Sequence, residues 1–163
     1  MVHSSDDDME EYVVICLDEL RVALRLSVVE RVIRAVSVSP LPEAPEIVAG
    51  VINVQGRVIP VIDMRRRFRL ENRRMVLADR IVIAHTVRRP VALVADAVSG
   101  VFEYSEPDII DADGILPGLA HVDGVAKLEE GLILIHDLNR FLSLDEESAL
   151  ECAMTPAGGR KNG

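Results

Sequence analysis

Tryptophan is absent from this 163-residue chain, and tyrosine and phenylalanine together supply only 3% of it. Any interior must therefore be packed from the Val, Ile and Leu that dominate the 49% hydrophobic fraction, and β-branched residues on that scale favour strands. Cysteine is nearly missing as well. Cys16 and Cys152 stand far apart with no C-x-x-C, so neither a disulfide framework nor a cysteine zinc site is signalled and both are expected as reduced thiols. Positive charge is in deficit, with a formal net charge of -9, which disfavours chain-wide attraction to nucleic acid or to an anionic membrane. Long apolar runs are lacking too: residues 12–17 fall far short of the roughly 20 needed to cross a bilayer, and no basic region precedes them. A cytoplasmic protein without direct membrane insertion is expected.

The common signatures of reaction chemistry are also missing. No G-x-S-x-G, P-loop or G-x-G-x-x-G occurs, which removes the usual signals for serine hydrolases and nucleotide sites. His3, His85, His121 and His136 show no ligand spacing, so no metal or cofactor is expected. Asp111-Ala112-Asp113-Gly114 superficially suggests a calcium loop, but its first ligand position would be Ile109 and its closing position Ala120. Asp63 and Asp137 could form a paired-carboxylate site. Each stands immediately before a helical segment, however, and capping of free backbone N–H groups is the simpler reading.

What is present is a succession of short aliphatic runs. Residues 12–17 and 21–26 read as a hairpin, and one helical turn after Ser27 leads into a further strand. Pro40, Pro42 and Pro45 make the following connection stiff and extended. Residues 50–54 and 57–62 flank Gln55-Gly56, a two-residue hairpin loop in which Gly56 supplies positive φ. Asp63 then opens a short helix with Met64 and Phe68 on one face. Further strands are expected at 80–86, 90–95, 98–104, 121–128 and 132–135, with a long loop over 106–118 and a terminal helix over about 138–144. The basic run from Arg65 to Arg80 reads as a solvated face, with an acidic protein partner as its second reading. The acidic clusters at Asp6-Asp7-Asp8 with Glu10 and Glu11, and at Asp145 to Glu151, read as solvated flanks.

Part of this pattern occurs twice. Gly50 to Asp63 and Gly124 to Asp137 are both thirteen positions apart, and each segment runs Gly-Val, strand, glycine-containing turn, apolar strand and Asp. The turns differ, Gln55-Gly56 against the three-residue Glu129-Glu130-Gly131. Two similar halves sharing an apolar interface are implied, since each alone is near the size where a core is marginal.

Residues 41–63, with the sequence LPEAPEIVAGVINVQGRVIPVID, closely resemble the signature of the CheW coupling family. Val94-Ala95-Asp96-Ala97-Val98, Gly124-Val125-Ala126-Lys127-Leu128 and Leu132-Ile133-Leu134-Ile135 follow in the family's order and spacing, so the resemblance covers about residues 12–144. It implies an all-β fold with minor helices: two SH3-like five-stranded β-barrels, intertwined over 12–144 and packed on a shared aliphatic core. Residues 1–11 would be an acidic disordered N-terminus, and 145–163 a tail, partly helical or disordered. It also implies a non-enzymatic adaptor of bacterial chemosensory signalling. Such an adaptor would bind the regulatory domain of a CheA-type histidine kinase and the cytoplasmic tip of a chemoreceptor, and would be recruited to membrane-associated receptor arrays. By the resemblance, Val29, Arg31, Val32, Gln55, Val98 and Val101 would contact partners, while Gly50, Gly56, Asp63, Gly124, Gly131 and Asp137 would be structural. Two positions depart from the family. Gln55 stands where an arginine is typical and Arg31 where a glutamate is frequent. An Arg31–Gln55 hydrogen bond is expected in place of the ion pair, and the departures admit the adaptor of a parallel, non-flagellar chemosensory pathway.

Overall fold

Local turn chemistry sets the register of the strands. The computed structural model describes residues 9–105, 109–111, 122–128 and 131–155. Strand β1 (Met9–Leu17) turns at Asp18-Glu19 into β2 (Leu20–Arg25), and a 3-10 turn over Leu26–Val28 leads into β3 (Val29–Arg34). After the proline-rich connection come β4 (Val48–Val54) and β5 (Arg57–Ile62), then helix α1 (Met64–Arg67). Gln55 and Gly56 have φ of 52° and 85°, the paired positive values that a type I′ loop requires. β6 (Arg80–His85), β7 (Pro90–Ala95) and β8 (Ala97–Ser105) follow, then β9 (Ile109–Asp111), β10 (Val122–Leu128), β11 (Gly131–His136) and helix α2 (Leu144–Met154).

The strands form two sheets, ordered β8-β1-β2-β11-β10-β9 and β3-β6-β7-β5-β4. The second has the expected five strands; the first carries β9 as a short sixth on β10, within the segment expected as loop. Leaving β9 aside, the two are the same object twice. Each has a single parallel pairing among the described strands, β11 with β2 (Leu134↔Val22) and β5 with β7 (Val61↔Ala92). Each hairpin shifts register at the same point, between Val48 and Gly50 in one and between Val122 and Gly124 in the other. The edge strands are bulged alike. Glu30 is the extra residue between Val29 and Arg31, and Ser99 is the extra residue between Val98 and Gly100.

Alternating residues on single strands supply different cores. Val13, Ile15 and Leu17 of β1 and Val82 and Ala84 of β6 meet in one central cluster, together with Leu24, Leu93 and Leu134. Tyr12 and Val14 fill the first barrel with Ile133 and Ile135, and Ile81 and Ile83 fill the second with Ile52 and Ile59. Strands buried on both faces need continuous aliphatic runs rather than polar alternation, which is what the composition supplies. Gly50 permits a close approach: a Cβ there would lie 2.2 Å from the Ser39 carbonyl oxygen. That carbonyl accepts from Val51 N–H at 2.8 Å, and Ser39 N–H donates back to the Val51 carbonyl at 2.8 Å, so the proline segment is strapped onto β4.

Several expectations change here. Gly131 pairs with Leu128 and so begins β11, leaving only residues 129–130, outside the described residues, as the connection. Asp137 caps merely a 3-10 turn over Leu138–Arg140, and the terminal helix starts later, at Leu144. Its start is a capping box: Glu146 N–H donates to Ser143 Oγ and Ser143 N–H to the Glu146 carboxylate. The expected tail, partly helical or disordered from residue 145, thus carries a helix whose first residue is Leu144. Leu150, fully buried in the central cluster, makes that helix part of the domain. The acidic residues of α2 are not simply a solvated flank either, since Glu146 pairs with Arg67 and Glu151 with Arg89. At the other end, Glu10 lies in β1 at 3.6 Å from Arg25; Asp6-Asp7-Asp8 and His121 lie outside the described residues.

Candidate functional site

The edge strands β3 and β8, one from each sheet, run along a shared surface groove. Val32 and Val98 line it with Ala78, Arg80, Asp96 and Ala97 around a volume of about 220 Å³. Val32 is 41% exposed, while Val98 and Val29 are half-buried against the central cluster. Of the sequence-expected partner residues, the structure thus brings Val32 and Val98 together. Val29 and Val101 are not groove-lining residues. Val101 is 52% exposed further along β8, beside the half-exposed Phe102. Gln55 is at the exposed tip of the β4–β5 hairpin, where Gly56 N–H donates to Asn53 Oδ1 at 2.9 Å.

The expected Arg31–Gln55 hydrogen bond is not formed among the described residues. The bulge in β3 offers Glu30 instead, which accepts from Arg57 Nη2 at 2.6 Å and lies 2.7 Å from His85 Nε2. Arg31 Nε approaches the same carboxylate at 3.5 Å. The hydrogen bond from Arg57, aided by His85 and opposed by desolvation, holds the Glu30 carboxyl below its usual range. A charged tie between β3 and the β4–β5 hairpin therefore exists, displaced by one residue on the strand and two beyond the turn.

A larger ionic cluster joins the two barrels beside the groove. Arg65, only 7% exposed, donates to both carboxylate oxygens of Asp18 at 2.9 Å, to Asp96 at 2.9 and 3.0 Å, and to the Glu71 carbonyl at 2.9 Å. Arg73 adds a bond of 2.8 Å to the buried Asp79 and a further bond to Asp96. Asp18 opens the β1–β2 turn and Asp96 links β7 to β8, and Asp18 N–H donates to Asp96 Oδ2 at 2.6 Å. The Arg65 hydrogen bond lowers the Asp18 carboxyl against desolvation. For Asp96, burial pushes upward, but hydrogen bonds from Asp18 N–H and the two arginines outweigh it and the net direction is down. The basic run is thus not one solvated face: Arg65, Arg67 and Arg73 are committed to internal pairs.

Arg65, Arg73 and Asp96, with Val38, Pro40 and Met75, line a cleft of about 300 Å³ that Asp63 also borders. The Asp63 carboxylate accepts from Arg66 N–H at 3.2 Å and that of Asp137 from Asn139 N–H at 3.0 Å, so both act as helix caps. Among the described residues no group of three His, Cys, Asp or Glu could hold a metal ion. Cys16 Sγ lies 3.1 Å from Ser99 Oγ at the β8 bulge, and both cysteines are free. Glu30, Asp18 and Asp96 were not singled out from the sequence. In the sequence Asp18 falls in the turn of the first hairpin beside Glu19, and Glu30 and Asp96 each interrupt an aliphatic run.

Comparison with known proteins gives a consistent result. A family model described as CheW-like domain matches residues 11–146. The chain is 30% identical to chemotaxis protein CheW of Rhizobium meliloti over 113 residues, covering 68% of this chain and 73% of that protein. It is 26% identical to chemotaxis protein CheW of Thermotoga maritima over 139 residues, covering 83% and 91%. Among solved structures, the scaffolding protein TtCheW from Thermoanaerobacter tengcongensis matches with a TM-score of 0.76 and 31% identity, over 84% of this chain and 94% of that one.

Proposed function

The chain belongs to the CheW-like domain family, and on that premise we propose that it is a chemotaxis scaffold coupling chemoreceptors to a CheA-type histidine kinase. The observation that carries the site assignment is the meeting of Val32 and Val98, from the exposed edges of two barrels, in one groove walled by Arg80 and Asp96. An apolar floor with a charged rim is the anatomy of a protein-binding surface. One partner would be the regulatory domain of the kinase and the other the cytoplasmic tip of the receptor. We read the protein as performing no reaction, because Asp63 and Asp137, the pair that could have served as acids, have their carboxylates occupied by backbone N–H groups. No described helix is long and apolar enough to cross a membrane, and on this reading a cytoplasmic chain reaches the membrane through the receptor. A second reading, the adaptor of a parallel chemosensory pathway, is favoured by the relocation of the β3 charge pair to Glu30 and Arg57.

Co-purification with a kinase regulatory domain and a receptor-tip fragment tests the assignment. Wild type should retain both. Val98→Asp should lose at least one, and Val32→Asp, at a more exposed position, should do the same while circular dichroism remains native. Retention of both partners by a folded Val32→Asp variant would move the site elsewhere, and failure of the wild type to bind either would end the coupling assignment.

A further inference from the structure

The fold divides the arginine run. Arg65, Arg67 and Arg73 are bound to carboxylates at close range, but Arg66 and Arg69 face outward with Leu70 and Asn72 around a surface concavity of about 230 Å³. Arg66 approaches the exposed Glu46 only to 3.6 Å and Asp63 only to 3.9 Å. Arg69 makes no ion pair or side-chain hydrogen bond among the described residues. Its backbone is unusual. Arg69 has φ of 60°, and it closes α1 with Leu70 N–H donating to the Arg65 carbonyl at 2.8 Å and Arg69 N–H to the Arg66 carbonyl at 3.2 Å. That is a Schellman closure, in which the left-handed residue is ordinarily glycine because a Cβ there is strained. Asp18, Glu43 and Gln55 share a positive φ, but at Arg69 the strained conformation coincides with a concavity that a second exposed arginine also lines.

We propose that the concavity formed by Arg66, Arg69 and Asn72 is a docking site for a carboxylate-rich segment of a protein partner, separate from the β3–β8 groove. Two guanidinium groups on adjoining turns offer forked donors to two carboxylates, Asn72 adds an amide, and Leu70 supplies a small apolar floor. Acidic protein is favoured over nucleic acid because no aromatic ring among the described residues lines the concavity for base stacking. A bilayer surface is disfavoured because Leu70 is the only apolar residue that lines it among the described residues.

The test is fluorescence anisotropy of a dye-labelled oligoglutamate peptide titrated with the full chain at low salt, with oligothymidylate and phosphatidylglycerol vesicles as parallel probes. Saturable, salt-sensitive oligoglutamate binding is expected. Arg69→Gly should weaken it about tenfold while raising the melting temperature by about 2–4 °C, because glycine relieves the left-handed strain. Arg66→Gln should weaken binding without that rise, and Val32→Asp, at an exposed groove position, should leave it unchanged, so that failure here and failure of the groove are separable. Unaltered oligoglutamate affinity in Arg69→Gly overturns the proposal. Equal or tighter Arg69-dependent binding of oligothymidylate or vesicles also overturns it, in favour of a general polyanion surface.

Discussion

Replacing Arg65 by methionine removes the cation that ties the β1–β2 turn to the β7–β8 link while keeping an apolar side chain of comparable reach. The losses can be counted. Arg65 is 7% exposed and donates to Asp18, to Asp96 and to the Glu71 carbonyl. Asp18 is half-exposed, so its carboxylate rehydrates and no energy is assigned to it. The charge-assisted bonds to Asp96 contribute about 1.5–3 kcal/mol and the bond to the carbonyl about 1 kcal/mol. Arg73 still holds Asp96, which limits the loss. A net destabilisation of about 2–4 kcal/mol is expected, or roughly 4–15 °C in melting temperature for a chain of this size. The pH dependence has a definite sign. Asp18 and Asp96 titrate below the ordinary value of 3.8 in the folded chain, so their contribution is present above that value and is lost as pH falls through the folded-state values. Thermal and urea unfolding should therefore show the full wild-type advantage at neutral pH, narrowing as pH drops below about 3.8. A melting shift under about 2 °C, or an advantage that persists unchanged in acid, would refute the assignment of the cluster as an inter-barrel clamp.

Two further substitutions test the fold that positions the site. Gly50→Ala puts a Cβ 2.2 Å from the Ser39 carbonyl oxygen at a φ of 154°, so the strap must shift and its two hydrogen bonds to Val51 must weaken; about 2–4 kcal/mol should be lost, and hydrogen exchange at the Ser39 and Val51 amides should rise. Leu150→Ala leaves a cavity in the central cluster, with an expected cost of about 2–5 kcal/mol by urea unfolding. A cost below about 0.5 kcal/mol would return α2 to the status of a tail.

What was legible in the sequence was whatever its neighbours along the chain decide. The β4–β5 hairpin, its Gln55-Gly56 loop and the Asp63 cap depend on a few adjacent residues, and all stand where the pattern put them. The repeat was legible because hairpin, glycine and capping Asp recur at fixed spacing, and the paired bulges and paired parallel contacts give it a geometric basis. Helix α2 was misplaced for a local reason as well. Residues 138–144 have helical composition, whereas the Ser143–Glu146 capping box that starts the helix is followed by acidic residues that resemble a solvated end. The ionic cluster was not legible. Asp18, Arg65, Asp96 and the Arg73–Asp79 stretch come from four separate segments, and a run of arginines does not reveal which of its members fold inward. The Glu30–Arg57 pair was missed because a bulge moves the charge one residue along β3.

The two sheets repeat one strand order with different side chains at their edges. Unpaired edge strands invite uncontrolled strand addition, and a bulge limits that by interrupting the free ladder. β3 and β8 are both edges and both bulged, so each is protected by the same device at the same place. Their chemistry is not the same. The extra residue of β3 is Glu30, carrying Arg57 and His85, while that of β8 is Ser99, in contact with the half-buried thiol of Cys16. Under the coupling function, a partner that reads charge can distinguish the first edge from the second although their backbones match. Asp96 binds Arg65 and Arg73 while also lining the groove between those edges, so a ligand that moved Asp96 would act on the clamp between the barrels. The Arg65→Met variant should therefore differ from wild type in groove affinity as well as in stability, and the two losses should diminish together in acid.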